Sequence, residues 1–153
     1  MKVSTKGRYG LRAMVDIAAN ARGSHVPLVQ VAERQGISEN YLEQVMALLR
    51  KGGFVLSVKG PHGGYRLSRS PRDIGVGDLL RTLEGSISVI ERGDAPAAGG
   101  GHPADDVVRR VLLDQVWEPI DRSITEVVDP ITLADLVEEH QRLNGPREPD
   151  FDI

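Results

Sequence analysis

The sequence predicts a mainly α-helical protein with one small β-hairpin. Three stretches carry this expectation. Residues 28–51 read as two helices joined by a glycine turn, residues 54–67 as a basic, glycine-rich hairpin, and residues 104–128 as a long helix with heptad-like apolar spacing. A helix, a tight turn and a capped helix followed by a basic hairpin is the pattern of a winged helix-turn-helix. The long helix adds a dimerisation element. The expected organisation is a winged domain at 1–85, an extended segment and flexible linker loop at 86–104, the dimerisation helix and a short C-terminal helix at 105–143, and a disordered tail at 144–153.

The first helix is expected over residues 5–22, with Ser4 as its cap. Leu11, Met14, Val15, Ala18 and Ala21 recur at spacings of three and four and form one buried stripe. Lys6, Arg8 and Arg12 lie in its first turns, where the helix dipole disfavours cations. A phosphate partner would compensate them. The rival reading of each residue is plain surface solubility. Pro27 suits the start of a second helix at about 28–35, Gly36 its left-handed end, and Ser38 the cap of the third.

That third helix, about 39–51, turns Leu42, Val45, Met46 and Leu49 inward. Asn40, Glu43, Gln44, Ala47 and Arg50 fall on the opposite face. Asn and Gln suit adenine edges in the major groove, and Glu suits the cytosine amino group. The same residues would also serve on an ordinary solvated helix face, and the hairpin that follows favours the nucleic-acid reading. Phe54 to Val58 and Tyr65 to Leu67 form its strands around the tip Lys59-Gly60-Pro61-His62-Gly63-Gly64. Walker spacing is absent there, so the tip reads as a wing whose Lys59, His62 and Arg66 meet the DNA backbone or minor groove.

Residues 75–85 form a short helix burying Leu79, Leu80 and Leu83. In the long helix Leu113, Trp117, Ile120, Ile124, Val127 and Ile131 are spaced 4, 3, 4, 3, 4. Such a seam pairs with a second copy or packs on its own domain, and pairing is the expectation. Pro119 removes one intrahelical hydrogen bond and predicts a kink near Gln115. Thr132 caps the last helix, with Asp135 at the capping-box position.

Composition excludes several classes. The 153 residues contain no cysteine, which rules out disulfides, thiol nucleophiles and thiolate-held clusters. No apolar run reaches membrane-spanning length, and the first residues lack a signal-peptide core, so a cytoplasmic protein without a membrane partner is expected. The net charge of −3 divides into +6 over residues 1–85 and −9 over 86–153, a basic half suited to a polyanion and an acidic half that is not. The four histidines are dispersed and no carboxylate pair or metal spacing stands out, so no enzyme, metal or cofactor is expected.

Several motifs resemble the Rrf-two family of bacterial transcription regulators. They are Ser4-Thr5-Lys6-Gly7-Arg8-Tyr9-Gly10-Leu11, Tyr41-Leu42-Glu43-Gln44, Leu49-Arg50-Lys51-Gly52-Gly53, Gly60-Pro61-His62-Gly63-Gly64-Tyr65-Arg66-Leu67, Trp117, and Ile131-Thr132-Leu133-Ala134-Asp135-Leu136. The resemblance implies a homodimer of winged domains on a roughly palindromic operator, acting as a repressor, with Ser38 and Tyr41 among the residues at the DNA. Its best-known members hold an iron–sulfur cluster through three cysteines in the loop equivalent to 91–104. This loop offers only Glu91, Asp94 and His102. Around Ser4 to Leu11, Tyr41 to Gln44 and Leu83-Glu84-Gly85-Ser86-Ile87-Ser88 the chain resembles a cysteine-free branch of repressors of cysteine metabolism, and that resemblance implies sulfur status sensed through a complex with cysteine synthase. The peptide Phe151-Asp152-Ile153 resembles the isoleucine-ended segment by which that enzyme holds another partner. Lys59 and His62 depart from the family's usual wing, which bears on operator preference. The alternatives are a family regulator with another, cluster-independent signal, or an interaction module that inhibits an enzyme through this tail.

Overall fold

A computed structural model describes residues 2–96, 99 and 101–145. The elements in order are α1 Thr5–Asn20, α2 Leu28–Gln35, α3 Glu39–Lys51, β1 Val55–Val58, β2 Gly64–Leu67, α4 Val76–Glu84, α5 Pro103–Leu112, α6 Glu118–Val128 and α7 Leu133–Asn144. A π-helical turn, Leu113–Trp117, joins α5 to α6 without a break.

α1 is the centre of the packing, with α2, α3, α4, α7 and β2 around it. Its buried face is Gly7, Gly10, Ala13, Met14, Asp16 and Ile17. The expected stripe is therefore corrected by rotation. Met14 is fully buried, whereas Leu11, Val15, Ala18 and Ala21 only border the core. A helix enclosed by neighbours on most sides has no single apolar stripe to read.

The turn between α2 and α3 follows local chemistry. Gly36 ends α2 in the left-handed region at φ 64°, where a Cβ would be strained. The Ser38 side chain accepts a hydrogen bond from the Tyr41 amide and starts α3. Leu42, Val45, Met46 and Leu49 are buried beneath it. The strands β1 and β2 pair antiparallel, Val55 with Leu67 through Val58 with Gly64. Val26 adds a third backbone segment through a bridge to Tyr65, which ties the wing to the entrance of α2.

In the back half, residues 86–90 leave α4 without forming a helix or strand. Asp121 of α6 holds them by accepting hydrogen bonds from the Ser88 hydroxyl and, at 2.7 Å, from the Val89 amide. The kink expected from Pro119 takes the form of the π turn. Pro119 has no amide to offer the Gln115 carbonyl, and the ladder widens so that the Glu118 amide donates to Leu113, five residues back.

The seam residues take two kinds of place. Ile124, Val128 and Ile131 pack against Val76, Leu80 and Ile87 of the same chain. Ile120 and Val127 of the seam remain 39% and 63% exposed, and Leu113 and Trp117 are half-buried. The π turn inserts one residue and rotates α6 relative to α5, so Leu113 is out of phase with the seam residues of α6. Nor is α7 part of a separate C-terminal unit. The Val76 amide donates to Ile131, the Leu133 amide to Ile74, and Leu133 is fully buried in the main core. The expected Thr132–Asp135 capping box is formed in both directions.

Candidate nucleic-acid interface

The exposed face of α3 carries Asn40, Glu43, Gln44, Ala47 and Arg50, opposite its four buried side chains. Tyr41 takes a different place. It is half-buried, and its ring meets that of Tyr9 edge-on at 5.6 Å. This contact sets the first turns of α1 beside the N-terminal end of α3. Lys6 and Arg8 are exposed on those turns of α1, the helix that packs against α3. Arg12 does not join them. Its guanidinium lies 5.3 Å from the centre of the Tyr9 ring and donates to the Gln35 backbone carbonyl, closing the C-terminal end of α2.

Lys59, His62 and Arg66 are exposed on the wing. The wing is held at two levels. The Val26 amide donates to Tyr65 at 2.8 Å and the Tyr65 amide donates back at 2.9 Å. Nearer the tip, the His25 ring donates through Nε2 to the carbonyl of His62. Its registration on the domain thus comes from bonds to the wing's own backbone and leaves the three side chains to solvent.

Among the described residues, Lys6, Arg8, Arg50, Lys59 and Arg66 form no ion pair, whereas Arg34, Arg81, Arg109, Arg110 and Arg142 do. Unpaired cations on two elements flanking a polar helix face suit a phosphate backbone on either side of a groove.

Residues absent from the sequence reading support the site. Asp16 is 3% exposed on α1 and takes both arms of Arg34, Nε at 2.9 Å and Nη2 at 2.7 Å, with Gln35 Nε2 at 2.9 Å. The hydrogen bond to Asp16 raises the Arg34 pKa above its ordinary value. This cluster sets α2 on α1, and with it the turn that aims α3. Its one sequence signal is an acidic residue between Ala13 and Ile17 on the buried side of α1.

The loop candidates for metal binding are committed elsewhere. Glu91 and Asp94 cap each other reciprocally, and His102 Nδ1 accepts from the Ala104 amide to start α5. Among the described residues no three His, Asp or Glu side chains group as a metal site. No helix there is long and apolar enough to cross a membrane.

A helix-turn-helix with a tethered basic wing defines a DNA-binding regulator of the winged-helix class. A family model described as Rrf2, iron-dependent transcriptional regulator, matches residues 3–139, and the chain belongs to this family. The transcriptional regulator IscR of Vibrio atlanticus is 38% identical over 154 residues, covering 100% of this chain and 84% of the relative. The solved structure of T. potens IscR is 43% identical with a TM-score of 0.72, covering 97% of this chain and 94% of that one. CymR, the global cysteine regulator of B. subtilis, is 37% identical with a TM-score of 0.72, covering 91% and 98%. These relatives are transcription regulators and not enzymes. The family's description names iron, yet the donor set here does not fit a thiolate-held cluster, since the 153 residues include no cysteine.

Proposed function

We propose that this protein is a homodimeric repressor that reads a roughly palindromic operator with Asn40, Glu43 and Gln44, positioned by phosphate contacts from Lys6, Arg8, Arg50, Lys59 and Arg66. The observation that carries the reading is the exposed polar face of α3 between two sets of unpaired cations. Dimerisation would use the apolar side of the α5–α6 rod. Val107, Val111, Val116, Ile120 and Val127 are exposed there, beside an open groove of about 620 Å³ along α6. Half-buried Ile124 lines that groove as well as packing towards α4, and Ile131 lies outside it.

The test is binding to a duplex selected from a random library. Two chains per duplex are expected. Glu43→Ala should flatten discrimination at one base position per half-site, a loss of about 1–3 kcal/mol there. Lys59→Ala should weaken binding to every sequence and lower the salt slope by about one unit. Unchanged discrimination in the Glu43 variant removes that residue from the reading role.

A second reading concerns the signal. The likeness to CymR, together with the cysteine-free loop, favours sulfur status sensed through cysteine synthase. The peptide Phe151-Asp152-Ile153, outside the described residues, would dock in that enzyme. Calorimetric titration into a cysteine synthase should give binding that disappears in a variant lacking Ile153. No heat from either form assigns the regulator a different, cluster-independent signal.

A further inference from the structure

The N-terminus of α1 is capped by a residue some eighty positions away. Glu84 Oε1 accepts three hydrogen bonds, from the Ser4 amide at 2.9 Å, the Ser4 hydroxyl at 2.7 Å and the Gly7 amide at 2.9 Å. Ser4 stands at the N-cap position but its side chain caps nothing in its own helix; it turns to Glu84 instead. The carboxylate thus takes the bond that an N-cap side chain ordinarily accepts. The first turn of α1 has no acidic residue of its own. Glu84 therefore supplies the negative charge that offsets the helix dipole and the two cations, Lys6 and Arg8, placed beside it.

The contact is close-packed. A Cβ on Gly7 would lie 2.4 Å from Glu84 Oε1 and 3.0 Å from a Val3 methyl. Val3 and Leu11 pack against Val76, Leu80 and Ile87, so the start of α1 rests on α4 by apolar contact as well. Glu84 is the last residue of α4. It is thus the polar link between α4 and the turn that carries two of the cations assigned to DNA.

We infer that Glu84 is a positioning residue for DNA binding: it holds the first turn of α1 wound and in place, so that Lys6 and Arg8 meet phosphates without first being ordered. The inference rests on the DNA-binding reading above. Preorganised cations keep their contacts at low cost, whereas cations on a frayed turn pay ordering entropy and release fewer counterions on average.

The experiment measures binding of the full chain to a mixed-sequence duplex across a series of salt concentrations. Glu84→Ala should lower the slope of log K against log salt by about one to two units. Gly7→Ala should do the same, although Ala favours an isolated helix over Gly, because the new Cβ displaces the carboxylate. The double variant should be no worse than either single one, and Lys6→Ala with Arg8→Ala should lower the slope less in the Glu84→Ala background than in the wild type. Glu84→Gln, which keeps an acceptor oxygen, should recover part of the slope. A role confined to stability would lower the melting temperature and leave the slope of the folded protein at its wild-type value, and that result overturns the inference. Wild-type protein without salt-dependent binding overturns the DNA-binding reading itself. Should Glu84→Ala fail to fold, the Gly7→Ala and Glu84→Gln slopes decide the matter alone.

Discussion

Arg34→Ala is expected to destabilise the fold by about 3–5 kcal/mol, near the lower end because one donor remains. The reason is an asymmetry in the pair. The Asp16 side chain is 2% exposed, whereas that of Arg34 is 37% exposed. Removing the guanidinium leaves a carboxylate inside the domain with only the Gln35 amide at 2.9 Å and no countercharge. Removing the charge from the other side is milder. In Asp16→Asn one acceptor oxygen stays hydrogen-bonded, no buried charge is left, and the Arg34 guanidinium already reaches water. Urea unfolding of the two variants separates these cases. The midpoint should fall much further for Arg34→Ala than for Asp16→Asn. Equal midpoints would mean that water reaches Asp16 once Arg34 is cut back. Replacing both residues by apolar ones of similar volume should restore most of the loss, since a buried ion pair seldom outperforms good packing.

Gly64→Ala is expected to leave the helical core folded and to detach the wing. The added Cβ would lie 2.2 Å from the Val26 carbonyl oxygen, 2.5 Å from its carbon and 2.8 Å from the Pro27 nitrogen. All three are backbone atoms, so no flexible side chain can yield. Relief requires β2 to move off Val26, which breaks the paired Val26–Tyr65 hydrogen bonds and pulls His62 from His25. Overpacking of this kind costs about 1–3 kcal/mol, less than the loss of the Asp16–Arg34 pair. The effect on DNA should be larger in proportion. Lys59 and Arg66 both leave with the wing, and the salt slope should drop by about two units where Lys59→Ala alone removes about one. Thermal melting and the salt series on the same preparation test both halves. A variant with a lowered melting temperature but an intact slope would show that the wing cations do not touch the backbone.

Much of the architecture is legible from residues within four positions of one another. The left-handed Gly36, the Ser38 cap, the Thr132–Asp135 box and the hairpin after Gly53 each state their own geometry, because caps and turns are closed by neighbours in sequence. Pro119 likewise announces a fault in the long helix. The candidate DNA residues on α3 and the wing were readable for the same reason: helix phase and hairpin polarity expose them.

What neighbours in sequence do not encode is the choice of partner. Ile124 and Ile120 look alike in the heptad pattern, yet one packs on α4 and the other stays exposed, because α4 reaches only one edge of the apolar face of α6. Leu133 belongs to the core of the winged domain only because α6 brings the chain back to Ile74. Asp16 finds Arg34 from 18 residues away, and Glu84 finds Ser4 from 80. The sequence alone thus determined a capped helix-turn-helix, a basic wing and a long apolar-seamed helix, since local hydrogen bonds and side-chain periodicity specify each of them. The tertiary structure alone decided which apolar faces are spent inside the chain and which carboxylates anchor the helices at the candidate interface, because those contacts depend on where distant segments meet once the core has closed.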